Sequence, residues 1–559
     1  MKFRISILTL LGIMSFGFFV NGQISPNHYL VNFTDKNNSK YSITKPEKFL
    51  SPRAIARRQK YHIPININDI PVNQNYIDSL SKMGFKVINS SKWLNSVSVY
   101  TTDTLLPEKL KNISFVRSIG PDRKKSNPVV KNMIAKQQLK NNNTAVYDSL
   151  VQAMYGESYT QIKLHNGQLM HKAGYQGQGM HIAIIDGGFY KVNELPAFDS
   201  LRLNNQILGT KNFVNDTLNI FKASSHGMMV LSTMAGNIPG HLIGTAPKAS
   251  YWLLRSEQTE SEYIIEEHNW ACAAEFADSV GVDIINSSLG YNNFDDPSTS
   301  HLYSELDGNT TMVTRAADIA ASKGILVVTS AGNEGASNWR YISAPADADS
   351  VLTIGAVMKD GQRAYFSSYG PSSDKRIKPD VCALGLPSVV SGAGGQVSIS
   401  SGTSFSSPIM AGLVACLWQA HPNLNNMEII DIIKRSANRY NQPDTSLGYG
   451  IPDIYSAHIY LNSIGFYQNQ EKNSILIFPN PFREAFYVQF FNQIQSIPYN
   501  LNIELFNIQG KLIWSKKYGE LYNNLPVESI EELEDLAKGT YIVRLTSNDV
   551  VLNKKVVKY

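Results

Sequence analysis

Apolar residues first gather at the extreme N-terminus. A continuous apolar run occupies residues 5–20, behind Lys2 and Arg4 and ahead of Gly22. A basic start, a short apolar stretch and a small residue near its end predict a cleaved secretory signal over residues 1–22. The run is shorter than the ~20 residues that cross a bilayer, and no later stretch exceeds it. The mature chain is therefore expected to be exported and to carry no transmembrane segment. Residues 27–120 follow a mixed pattern. Strand-like stretches at 29–33, 85–89, 97–101 and 116–119 surround helical ones at 76–83 and 107–111, which predicts a small α+β unit. Residues 122–143 are rich in Lys, Asn and Gln and weakly patterned, as a linker is.

From about residue 155 short β-branched runs alternate with helical stretches. The runs are 181–185, 282–285, 325–328 and 351–354, and the helical stretches include 262–280 and 312–322. Continuous apolar strands separated by helices predict an α/β domain with a doubly wound, mostly parallel sheet covered on both faces. After residue 472 the period changes to two, with strands expected at 485–490, 501–507, 512–516, 540–545 and 550–557, a small β-sandwich. No internal repeat of solenoid period is present. The boundaries expected are 1–22, 23–125, 126–154, 155–465 and 472–559. A length of 559 residues, with 43% hydrophobic and 10% aromatic residues, suits several packed domains and excludes wholesale disorder.

The ends of the predicted strands carry the candidate chemistry. The first ends in Asp186-Gly187-Gly188, the second in Asn286-Ser287-Ser288-Leu289-Gly290, the third in Ser330-Ala331-Gly332-Asn333. Ligands of such sheets bind beyond the carboxyl ends of the strands. Two helical stretches open on polar residues: Ser225-His226-Gly227, and Ser401-Gly402-Thr403-Ser404 ahead of an apolar helix over 405–419, with Pro408 expected in its first turn. Singly, a strand-end Asp is usually structural, a helix-start Ser an N-cap and a lone His a surface or core residue. Together they suit nucleophilic acyl transfer. Serine needs an adjacent base, which His226 can be; Asp186 would fix its tautomer. Asn333 and the Ser404 N–H could donate to an oxyanion.

This set resembles the subtilisin-like serine proteases (subtilases), whose functional residues run Asp, His, Asn, Ser along the chain. The motifs are GQGMHIAIIDGG at 177–188, SHG at 225–227, GTAPKA at 244–249, SSLG at 287–290 and SAGN at 330–333. FSSYGP at 366–371, KPDV at 378–381 and SGTSFSSPIMAG at 401–412 complete them. The resemblance covers about 155–460. It implies a triad of Asp186, His226 and Ser404, Asn333 as oxyanion donor, and Ser288, Leu289 and Gly290 pairing with substrate backbone as an added strand. It implies a serine endopeptidase acting on protein or peptide substrates, with no cofactor required and no catalytic metal. The chain departs from the family at Gly187, where Ser or Thr is usual, and at Met228, where Thr is usual. Residues 291–309 are longer than in the simplest members. Their Asp295, Asp296, Glu305 and Asp307 suit structural calcium or a basic-substrate subsite, against the plainer reading of a solvated acidic loop.

The flanks fit the same reading. In position and pattern the unit over 23–125 resembles subtilase propeptides, small α+β inhibitors that assist folding and are cut off. The PNP at 479–481, the turn at 507–511, KGTY at 538–541 and KVVKY at 555–559 resemble the C-terminal sorting domain of the type IX (Por) secretion system. Partners implied are the chain's own propeptide and that secretion machinery, and the location is secreted or cell-surface attached, beyond both membranes. A carbohydrate-binding or adhesive sandwich is the alternative for this domain, and a non-catalytic surface binding protein on a subtilase scaffold the alternative for the whole.

Charge sharpens the division. The net charge is +5, but residues 24–150 hold 20 Lys and Arg against 8 Asp and Glu, while residues 151–471 hold 19 against 29. A basic segment beside an acidic one predicts that the two dock on each other. No basic stripe interleaved with aromatics is present, so nucleic-acid binding is not expected. Cys272, Cys382 and Cys416 are too few for a disulfide scaffold and read as buried small hydrophobes, with one disulfide left open.

Overall fold

A computed structural model describes residues 23–122, 149–214, 217–467 and, with short breaks, 473–558. The expected signal over 1–22 and most of the expected linker lie outside the described residues. The linker's last residues fall in a helix, Ser149–Tyr155, where Tyr155 is buried in the α/β core and the Met154 carbonyl accepts from the Gly240 N–H (2.8 Å).

Seven parallel strands form the central sheet. From one edge they run Val381–Leu386, Leu352–Met358, Leu326–Ser330, Ile284–Ser287, His181–Asp186, Ser250–Arg255 and Ile207–Asn212. Alternate residues enter opposite cores. Ile182 and Ile184 pack under the helices His226–Ala235 and Thr403–Ala420; Ala183 and Ile185 pack under Ile265–Val280 and Met312–Ser322. That two-sided burial explains why the strands read as continuous apolar runs. The strand order reverses at His181–Asp186, so Asp186 ends the strand beside the crevice where such sheets bind ligands. The register sets Arg255 opposite Asp186 and Ser287 opposite both Ile185 and Thr329, so these strands finish along one edge.

The N-terminal unit is an antiparallel sheet of Gln23–Ser25, His28–Phe33, Lys86–Ser91, Ser96–Tyr100 and Val116–Ile119, packed on Gln74–Lys82 and Leu106–Leu110. Its basic residues meet acids of the α/β domain. Asp278, near the end of Ile265–Val280, is fully buried between Arg57 (2.6 Å), Arg58 (2.8 Å) and Lys92 (3.6 Å). Glu275 accepts from the Ser91 hydroxyl (2.5 Å) and from the Lys92 and Trp93 N–H groups (2.7 and 3.0 Å). Arg53 pairs with Asp283 (2.5 Å), and in the opposite sense Lys323 of the α/β domain pairs with Asp69 of the N-terminal unit (3.2 Å). The docking foreshadowed by the charge split thus centres on buried ion pairs at Asp278, with a part-exposed pair, Arg53–Asp283, beside them.

The C-terminal region forms two antiparallel sheets around Phe486, Val488, Ile503, Leu505, Val543 and Val556. Cys272, Cys382 and Cys416 are buried and free, so no disulfide joins them. Among the described residues no helix is long and apolar enough to cross a membrane.

Candidate active site

Asp186 is fully buried at its strand end, and its Oδ1 accepts from the Gly187 N–H (2.7 Å). His226 is the first residue of His226–Ala235. Its Nδ1 meets Asp186 Oδ1 at 2.8 Å and Oδ2 at 3.0 Å, which makes Nδ1 the protonated nitrogen and leaves Nε2 free to accept. Gly227 allows this approach. A Cβ there would lie 2.5 Å from the Gly188 carbonyl oxygen and 2.9 Å from Asp186 Cβ, so only glycine lets the helix start sit against the strand end. Burial pulls the His226 pKa down, but the Asp186 charge and hydrogen bond, helped by Glu257, outweigh it and raise it overall.

Ser404 is the second residue of Thr403–Ala420, and the ring of the next residue, Phe405, lies 6.1 Å from that of His226. Ser404 Oγ donates to the Ser288 carbonyl (3.3 Å), and no hydrogen bond joins it to His226 among the described residues. The helix begins two residues earlier than expected, so Pro408 falls in the second turn. Its missing N–H is the one that would bond the Ser404 carbonyl. Ser288 Oγ supplies the replacement donor at 2.8 Å. Asn286 in turn donates to Ser288 Oγ (3.1 Å) and accepts from Ser407 Oγ (2.9 Å). The strand end and the Ser404 helix are therefore joined by side chains at three points.

The Asn333 amide is held from one side. Its Oδ1 accepts from the Thr403 N–H (2.9 Å) and hydroxyl (3.0 Å). A backbone N–H can only donate, which fixes the atom facing it as oxygen and turns the NH₂ group outward beside Gly402 and Ser404. The preceding Gly332 has φ +105°, a conformation that favours glycine, and its N–H donates to Thr403 Oγ1 (3.2 Å). Ser288 is buried, Leu289 half-buried and Gly290 exposed, and the chain then bonds across to Ala344 through both polar groups of Tyr291.

The two departures have structural accounts. A Cβ at Gly187 would meet Thr259 Cγ2 at 2.9 Å, so Thr259 occupies the space of the usual side chain. Met228 is fully buried in the core under the sheet. The acidic residues of 291–309 serve locally. Asp295 accepts from the Glu262 N–H, Asp296 from the Ser298 N–H and hydroxyl, Glu305 from the Leu302 N–H, and Asp307 from the Asn309 and Thr310 N–H groups. The carboxylates that do converge are Glu257, Glu262 and Glu266, which sequence reading did not single out. Residues 262–280 read as one helix, but the helix starts at Ile265, so Glu262 lies in the loop that brings in Glu257.

Comparison with known proteins gives the same order of parts. Residues 28–143 match the Peptidase S8 propeptide domain of Bacteroidota, residues 177–450 the Subtilase family, and residues 476–559 the secretion system C-terminal sorting domain, which directs a chain to the cell surface or outside. Subtilisin NAT of Bacillus subtilis subsp. natto is 31% identical over 272 residues, 48% of this chain and 63% of its own length. The match thus spans under two thirds of that relative. Subtilisin of Bacillus pumilus is 30% identical over 292 residues, 52% of this chain and 94% of its own. The epidermin leader peptide processing serine protease of Staphylococcus aureus shares the fold at 16% identity and TM-score 0.50, over 79% of this chain and 99% of its own. A seven-stranded parallel sheet, an Asp–His pair at its switch point and near-complete coverage of a known subtilisin lead to one conclusion: the chain belongs to the subtilase family.

Proposed function

We propose that this chain is a serine endopeptidase exported as a zymogen, with Asp186, His226 and Ser404 as its triad. The observation that carries the reading is the His226 ring, clamped at Nδ1 by both oxygens of a buried carboxylate beside the first turn of the Ser404 helix. A peptide would add as a strand along Ser288, Leu289 and Gly290. Its approach frees the Ser404 hydroxyl from the Ser288 carbonyl, and rotation about Cα–Cβ turns it toward His226. The Ser404 oxygen attacks the scissile carbonyl as His226 Nε2 takes the proton. The carbonyl oxygen gathers negative charge and receives the outward NH₂ of Asn333 and the Ser404 N–H. His226 returns the proton to the leaving amine, and water then hydrolyses the acyl-enzyme by the same route. No cofactor enters this chemistry.

The basic N-terminal unit acts as the propeptide, held by the Asp278 and Glu275 pairs until it is cut away. Purified Ser404→Ala should hydrolyse no peptide and remain an uncut precursor. A fluorophosphonate probe should label Ser404 in the processed parent protein. Wild-type cleavage by the variant, or no adduct in the parent, would overturn the assignment and leave a binding protein on a subtilase scaffold.

A further inference from the structure

Beside the Asp186–His226–Ser404 group, Glu257, Glu262 and Glu266 each bring a carboxylate oxygen to within 4.8 Å of the others. Glu257 follows the strand Ser250–Arg255, and Glu266 is the second residue of the helix Ile265–Val280. Glu257 and Glu266 are almost wholly buried, 7% and 2% exposed, and Glu262 half-buried. Ligand oxygens about 2.4 Å from a calcium ion can be no more than about 4.8 Å apart, so this spacing fits a cage around one ion.

A second observation points the same way. Glu266 Oε1 accepts from the Gln258 N–H (2.8 Å), but its Oε2 is buried and has no hydrogen-bond partner. Leaving such an oxygen unmatched is costly, and a cation in the cluster would match it. Charge counting agrees. The cation beside the group is Arg255, whose Nε is committed to the Gly187 carbonyl (3.0 Å). Glu260 also acts on Arg255, and Asp295 and Glu267 act on Glu262, so the carboxylates around the cluster outnumber the cation beside it.

We propose that Glu257, Glu262 and Glu266 form a binding site for one calcium ion. Calcium fits better than magnesium because the oxygens come from a loop and a helix start, and magnesium demands a near-ideal octahedron and keeps its waters. The ion would brace two walls of the substrate crevice. Glu257 accepts from the Tyr291 hydroxyl (2.8 Å), next to Gly290, and Arg255 holds the Gly187 carbonyl, next to Asp186.

Terbium luminescence excited through tyrosine tests this, because Tyr291 touches a proposed ligand. The full chain carrying Ser404→Ala is titrated with Tb³⁺ and then with Ca²⁺ or Mg²⁺. Sensitised emission should appear and be displaced by Ca²⁺ at lower concentration than by Mg²⁺. In Glu266→Gln, and in the more exposed Glu262→Gln, the Tb³⁺ affinity should fall at least tenfold with unchanged circular dichroism. Calorimetry should lose one calcium per chain in each variant. The proposal is overturned if the parent binds no calcium up to about 10 mM, above the ~10⁻⁴–10⁻³ M range of extracellular sites. It is equally overturned if both variants keep the parent's stoichiometry and emission.

Discussion

Two buried aspartates serve opposite ends. Asp186 and Asp278 are both fully excluded from solvent, yet one faces a histidine and the other two arginines and a lysine. Burial alone would raise the Asp278 pKa, but Lys92, Arg58 and Arg57 overcome that and lower it. Its two guanidinium partners keep their charge at every working pH, so the contact is a lock whose strength is set by whether the basic unit is present. The partner of Asp186 can lose and regain a proton, as the triad proposed above requires. The lesson is that the partner's ability to titrate, rather than burial of the acid, separates a docking seam from a reaction centre.

The sharpest way to break this contrast is to remove the charge of Asp186 while keeping its shape. Asp186→Asn should lower kcat about 10⁴-fold, the scale for losing the correct histidine tautomer. It should also move the acid limb of kcat/KM. His226 must be neutral to act, and Asp186 raises its pKa, so activity in the parent is lost as pH falls through a midpoint above 6.5. In the variant that midpoint should drop; an unmoved limb in a pH–rate series would detach His226 from Asp186. On the docking side, Asp278→Ala leaves Arg57 without its buried carboxylate, while Arg58 keeps Asp69 (3.1 Å). Breaking such a pair costs about 3–5 kcal/mol. Propeptide added in trans should therefore inhibit processed Asp278→Ala enzyme at least a hundredfold more weakly, with the uninhibited hydrolysis rate unchanged.

Asn333→Ala should reduce kcat by about 10²–10³ with little change in KM, the range for loss of one oxyanion donor, established on a subtilisin. An equal rise in KM instead would make Asn333 a ground-state contact. The smallest effect is expected at Ser288→Ala, which strips the Ser404 carbonyl of its donor. A lost hydrogen bond to a buried acceptor costs about 1–3 kcal/mol. Thermal unfolding should register that loss, and a Tm equal to the parent's would show that another donor takes its place.

Much of this was legible in the chain because the chemistry sits where patterns end. The run over 181–185 stops at Asp186, the run over 325–328 leads to Asn333, and an apolar helix follows Ser404. The separation of charge at residue 150 likewise foretold a docking seam, though not that Asp278 would be its centre. What stayed hidden depends on shape. The strand Ile207–Asn212 lies at a sheet edge and mixes polar residues with apolar ones, so its period is faint. Glu257, Glu262 and Glu266 meet only because the loop before Ile265 folds back, and no periodicity announces such a turn. The departure at Gly187 looked like a lost hydroxyl; the space is taken by Thr259, a residue distant in sequence.

Pro408 gives the backbone of Ser404 an external contact. Within an unbroken helix the Ser404 carbonyl would answer only to its own turn. With that rung missing, the carbonyl takes a side-chain donor from Ser288, the first residue of the segment on which a substrate strand would lie. The residue that would attack and the rail that would carry the substrate thus share one hydrogen bond. A shift of the rail cannot leave the attacking residue indifferent, which makes groove occupancy and nucleophile alignment a single mechanical variable.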